Sequence, residues 1–105
     1  TVAICSTDFL GFPAVLGNRV REKVSQIPPD NILIGATHTH SAPDMYGFPD
    51  EKGEFSTDLE YVGFVVDQLA DAINEAVENL QPAAVKIATG EAKGKIAYNY
   101  YAPQL

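Results

Sequence analysis

The chain has one cysteine, Cys5, and only two histidines, His38 and His40, among its 105 residues. A single thiol excludes an intrachain disulfide and a cysteine-based zinc cage, and it leaves the redox compartment open. Positive charge is scarce too: seven Lys and Arg against 14 Asp and Glu give a formal net charge of -7. Basic residues this few and this scattered cannot build the cationic footprint that a phosphate backbone requires, so nucleic acid is not an expected partner. Long apolar runs are missing as well. The stretch from Val62 to Ala72 is broken by Gly63, Asp67, Gln68 and Asp71, well short of the roughly 18 uninterrupted apolar residues that mark a membrane span. No transmembrane segment is expected. Thr1 leads directly into the apolar Val2-Ala3-Ile4-Cys5 with neither an initiator methionine nor a signal-peptide pattern, which reads as a piece of something longer.

What is present suffices for one domain. A length of 105 residues with 46% hydrophobic content supports a single small layered core and not two, so residues 1–105 read as one α/β domain. Val2 to Cys5 is a short apolar run closed by Ser6-Thr7-Asp8, a strand entering a loop, with both faces expected to be covered. Leu16, Val20, Val24 and Ile27 recur at helical spacing and stop at Pro28-Pro29. Asn31 to Ala36 repeats the strand signal in Ile32-Leu33-Ile34. Strand, helix and strand in that order predict a parallel β-α-β crossover. Thr57-Asp58-Leu59-Glu60 has the spacing of a capping box, and Leu59, Val62, Val66, Leu69, Ile73, Val77 and Leu80 mark the stripe of a long helix ended by Pro82. Ala84 to Thr89 and Lys95 to Tyr100 alternate across Ala92-Lys93-Gly94 and predict a C-terminal strand pair. The expected architecture is a two- or three-layer α/β sheet domain. An exposed sheet edge would allow pairing into a homo-oligomer.

Chemistry is expected where the second strand ends, at Thr37-His38-Thr39-His40-Ser41, because open α/β sheets place their ligand crevices at the carboxyl ends of strands. If the backbone stays extended through Thr39, a period of two turns both imidazoles to one face, within reach of one metal ion or one substrate. One ring can then hold metal while the other binds substrate or moves a proton. The competing reading is a pair of solvated loop histidines. Catalytic zinc wants about three protein ligands and an open position, so the pair is not sufficient alone. Asp8, after the first strand, and Asp44, in the loop from Ser41 to Ser56, are the nearest carboxylate candidates, each weighed against a turn or capping role. Ser41 adjoins His40 but lacks the strand-turn-helix elbow of a catalytic serine. Cys5 reads as core, the Tyr98, Tyr100 and Tyr101 cluster as packing or a ligand contact, and Asp50, Glu51 and Glu54 as solvated charge.

From Ile32 to Pro43, Ile-Leu-Ile-Gly-Ala-Thr-His-Thr-His-Ser-Ala-Pro, the sequence resembles the neutral (alkaline, non-lysosomal) ceramidase family, whose amino-terminal catalytic domain carries an Ala/Gly-Thr-His-Thr-His-Ser-Gly-Pro signature after a hydrophobic strand. The likeness extends more loosely over the preceding strand-Asp8-helix unit, the long helix and the segment ending at Asn99. It implies part of a zinc-dependent amidase that hydrolyses the N-acyl bond of ceramide or a related lipid amide, and it allows a secreted or periplasmic protein. By motif position His38 is the implied zinc ligand and His40 the neighbouring active-site histidine, with Asp8, Ser41 and Asp44 as candidate substrate contacts. The family's further ligands, a second His, a Glu and a Tyr, lie further along its chains, and this chain has no third histidine. Ala42 stands where the family has Gly, Asp44-Met45-Tyr46 replaces a Gly-rich continuation, and Tyr100 follows Asn99 where Arg is common.

Two other readings compete. A non-catalytic structural α/β subdomain fits the missing ligands. A His-x-His phosphoesterase or amidohydrolase fits less well, since those enzymes carry the motif on their first strand and here a strand-helix unit precedes it.

Overall fold

The computed structural model describes residues 1–55, 57–92 and 94. Two strands, β1 (Ala3–Thr7) and β2 (Ile32–Ala36), and two helices, α1 (Ala14–Lys23) and α2 (Leu59–Glu78), follow one another as β1, α1, β2, α2. β1 and β2 pair in parallel with Ala3 opposite Ile32 and Thr7 opposite Ala36. A parallel pair cannot be closed by a hairpin, so the chain must cross back, and α1 is that crossover. The α/β class and the β-α-β unit are as the residue pattern predicts.

The sheet is covered on one face. Pleating sends Ala3, Cys5, Ile32 and Ile34 to the core, where they meet Leu16 and Val20 of α1 and Val62, Val66, Ala70 and Ile73 of α2. On the other face Ile4 is 80% and Leu33 61% exposed. The two-layer alternative therefore describes these residues: among them only one face of the first strand is covered. A single tight helix pair supplies one cover, with Val20 and Val66 fully buried at its centre.

The helix boundaries follow local chemistry. α1 is capped by Pro13, whose carbonyl accepts from the Leu16 and Gly17 amides at 3.0 Å. It ends at Lys23, four residues before the predicted Ile27, because the chain must reverse to align β2 and Pro28 bars Ile27 from the helical region. Val24 and Ile27 still reach the core from the extended connection. Arg21 secures the return by donating to the Ile32 carbonyl at 2.9 Å.

α2 is capped by Asp58, whose Oδ1 accepts from the Glu60 and Tyr61 amides at 3.0 Å. The cap is thus one residue later than the Thr57 box suggests, because the Thr57 hydroxyl donates instead to Asp44. Of the predicted stripe, Leu59 and Leu80 lie outside the core and Ala70 takes the fully buried place beside Leu69. Lys23 and Asp67 join the helices in a 2.9 Å ion pair, half exposed and so worth little energetically.

Residues 84–89 form no strand: Val85 and Ile87 are 85% and 90% exposed. A strand exists only through a neighbour, and none of the described residues pairs with this segment. Its predicted partner, Lys95 to Tyr100, lies outside the described residues, as does the tyrosine cluster. No described helix is long and apolar enough to cross a membrane.

The packing predicts a sharp contrast along α2. Val66→Ala removes two methyl groups from a fully buried site and should cost about 2 kcal/mol of unfolding free energy. Leu59→Ala, at a site 79% exposed, should stay within about 0.5 kcal/mol. Urea denaturation of the two variants measures the difference.

Candidate functional site

The parallel ladder continues past its strands. Thr37 N–H donates to the Thr7 carbonyl at 3.0 Å and His38 N–H to the Phe9 carbonyl at 3.1 Å. These bonds hold the segment after β2 against the segment after β1, and the Thr37 hydroxyl ties them again by donating to Asp8 Oδ1 at 3.1 Å. Asp8, Thr37 and His38 thereby share one exposed corner at the carboxyl end of the sheet.

The backbone turns at His38, with φ of +64°. That left-handed conformation costs a side-chain-bearing residue about 1–2 kcal/mol relative to the extended one. The extended run through Thr39 that would align the imidazoles by strand alternation is therefore broken at His38. The rings meet nonetheless, edge to face, with centroids 5.0 Å apart. The turn, not the pleat, brings them together.

His38 Nδ1 lies 2.7 Å from the Leu10 carbonyl oxygen. A carbonyl only accepts, so Nδ1 carries the proton and Nε2 of the neutral ring keeps its lone pair free. A histidine oriented by a backbone carbonyl in this way is in the form that binds a metal. Leu10 and Phe9 are contributors that the residue pattern did not single out; only their position just after a strand end could have pointed to them.

Gly11, the next residue, is buried beneath the Tyr46 ring, and a Cβ at position 11 would collide with that ring and its hydroxyl. The loop after β1 and the loop after the histidines are packed together at this point.

Asp44 serves the loop itself. Its Oδ1 accepts from Tyr46 N–H at 2.8 Å, and its Oδ2 accepts from Gly47 N–H at 2.9 Å, Phe48 N–H at 2.8 Å and the Thr57 hydroxyl at 2.9 Å. Desolvation pushes its pKa up, but the donors at Tyr46, Phe48, Thr57 and Gly47 together outweigh that, and the carboxyl settles below its ordinary range. With four donors in place, Asp44 organises the turn.

Asp50, expected to be merely solvated, does similar work. Its Oδ1 accepts from the Lys52 and Glu54 amides at 2.8 and 2.9 Å, and Pro49 and Phe55 form an antiparallel bridge across the turn. The long connection is thus two aspartate-centred turns. Ser41 is exposed, its N–H donating to Thr39 Oγ1 at 3.3 Å. Cys5 is part of the strand's inner face; burial pushes its thiol up and Arg21 lowers it by less.

Zinc, which the resemblance implies, needs about three protein ligands in a catalytic site. His38 fits one such position and His40 stands beside it, but among the described residues no three His, Cys, Asp or Glu side chains are grouped to hold a metal ion. The donor set here is partial. A separate apolar groove of about 590 Å³ opens between the N-terminal turns of the two helices, lined by Val15, Arg19, Tyr46, Phe55 and Leu59 among others, and it includes neither histidine. The chain matched no protein-family model, no curated protein and no solved structure.

Two measurements test this geometry. His38→Gly accepts the left-handed backbone without strain, so it should be more stable than His38→Ala by about 1 kcal/mol in urea unfolding. The Asp44 contribution should be complete above the carboxylate pKa of the unfolded chain and lost as pH falls through the lower folded value. Amide exchange at Tyr46, Gly47 and Phe48 should therefore stay slow from neutrality down to about pH 4 and accelerate below it, beyond the intrinsic pH effect. Asp44→Asn should flatten that response.

Proposed function

We propose that Thr37–Ser41 forms one wall of a zinc-dependent amidase site of the ceramidase type, acting on an N-acyl lipid amide. In this reading His38 holds the metal through Nε2, and His40, edge-on to it, faces the substrate; Asp8 fixes Thr37 and hence the turn, and Ser41 borders the substrate side. A bound zinc supplies a water of lowered pKa and polarises the amide carbonyl. Further ligands would be needed to complete the metal site, since no three-ligand group occurs among the described residues. The observation that carries the reading is the Leu10 carbonyl on His38 Nδ1, which leaves the other nitrogen free at a strained turn on the carboxyl edge of a parallel sheet.

A second reading, a structural subdomain without chemistry of its own, is favoured by the lack of a three-ligand group among the described residues. The two differ in what they require of His38. Pairing of copies along an edge of the sheet left unpaired by the described residues is compatible with either.

Zinc titration followed by imidazole NMR separates them. The amidase reading expects zinc to shift His38 through Nε2 with weak affinity, in the range of tens of micromolar or weaker for so few ligands. The shift should vanish in His38→Ala and persist in His40→Ala, and the chain alone should not hydrolyse N-acyl sphingosine. Stoichiometric tight binding would show that the ligand set is already complete, and an unchanged His38→Ala would remove His38 from the metal.

A further inference from the structure

The apolar groove between the helix starts is a different place from the histidine corner, and its composition is unusual for this chain. Val15 and Leu16 of α1, Leu59 and Val62 of α2, and Met45, Tyr46, Phe55 and Thr57 from the connecting loop line it. Val15, Phe55 and Leu59 are 67%, 74% and 79% exposed, so the apolar surface is open to solvent. The molecule carries 14 acidic residues and seven basic ones, yet among the described residues that line this groove there is no Asp or Glu and the one charged side chain is Arg19. Arg19 projects from α1 one helical turn after Val15, so the two share a face. It is exposed and makes no ion pair with another described residue.

A mostly apolar trough with a guanidinium at its rim, unpaired among the described residues, is complementary to an unbranched apolar chain ending in an anion. The chain removes exposed apolar surface from water, and the head meets a planar donor suited to a carboxylate. A volume of about 590 Å³ lies within the ordinary range for small-molecule sites. We infer that this groove binds a single-chain anionic amphiphile, with the alkyl chain between α1 and α2 and the carboxylate on Arg19. The site stands independently of the amidase reading, because neither histidine belongs to it, and its failure would leave that reading untouched.

Dodecanoate and dodecyltrimethylammonium, which share a chain length and differ in the sign of the head, are the probes, titrated calorimetrically below their micelle concentrations. Dodecanoate should bind saturably at one site, and the cation at least about tenfold more weakly. Arg19→Glu should lower dodecanoate affinity about tenfold or more, whereas Arg19→Lys should keep most of it. Val15→Asp should abolish binding of both. Both positions are exposed, so circular dichroism should report an unchanged fold. Equal binding of the two probes, an indifferent Arg19→Glu, or an indifferent Val15→Asp would each overturn the assignment. So would sedimentation showing a self-associated chain that Val15→Asp dissociates, since a second copy would then be the occupant.

Discussion

Everything in this molecule depends on β1 and β2 running the same way. A parallel pair dictates a crossover, and the crossover dictates a helix long enough to carry the chain from one end of the sheet to the other. It also brings both strand exits to the same edge, so that Asp8 and Thr37 can touch and His38 can find the carbonyl of Leu10. Had the strands been antiparallel, these residues would sit at opposite ends. The two amide bonds beyond the strands, from Thr37 to Thr7 and from His38 to Phe9, extend this pairing into what would otherwise be free loop.

The cover over the sheet is equally economical. One face carries the core, and its centre is two valines, Val20 and Val66, with no accessible surface. Branched side chains of modest size let the helices approach closely, and close-packed interiors respond steeply to any lost volume. The connection between β2 and α2 is held by polar means instead. Asp44 and Asp50 gather amides that the loop has no strand or helix to satisfy, and Met45 is pulled into the core between them and the helices.

Most of the fold could be read from residue order. The Val2–Cys5 and Ile32–Ile34 runs, the spacing of Leu16 and Val20, and the Val62, Val66, Ile73 stripe report their elements because burial acts through periodicity. The ends were harder, since α1 stops where the return to β2 demands it and α2 is capped by whichever oxygen is free. Residues 84–89 show the limit of pattern: alternation states a capacity for pairing, and a partner has to realise it. At the site, the histidines were visible as residue types at a strand end. The left-handed backbone at His38 and the role of Leu10 were not, because both arise from contact between segments about 28 positions apart and leave no trace in local spacing. Asp44 and Asp50 were visible as acids, but whether an acid in a loop serves a ligand or the loop depends on donors that only the folded chain assembles.

Gly11 and Tyr46 have a consequence of a different order. The ring lies where a side chain at position 11 would have to go, so the two positions have a shared allowance of volume. Change at one bears on the other: a larger residue at 11 requires the Tyr46 ring to move aside or be replaced by a smaller one. Positions 11 and 46 should then vary as a pair across descendants of this sequence, although they are far apart along the chain and neither carries the chemistry.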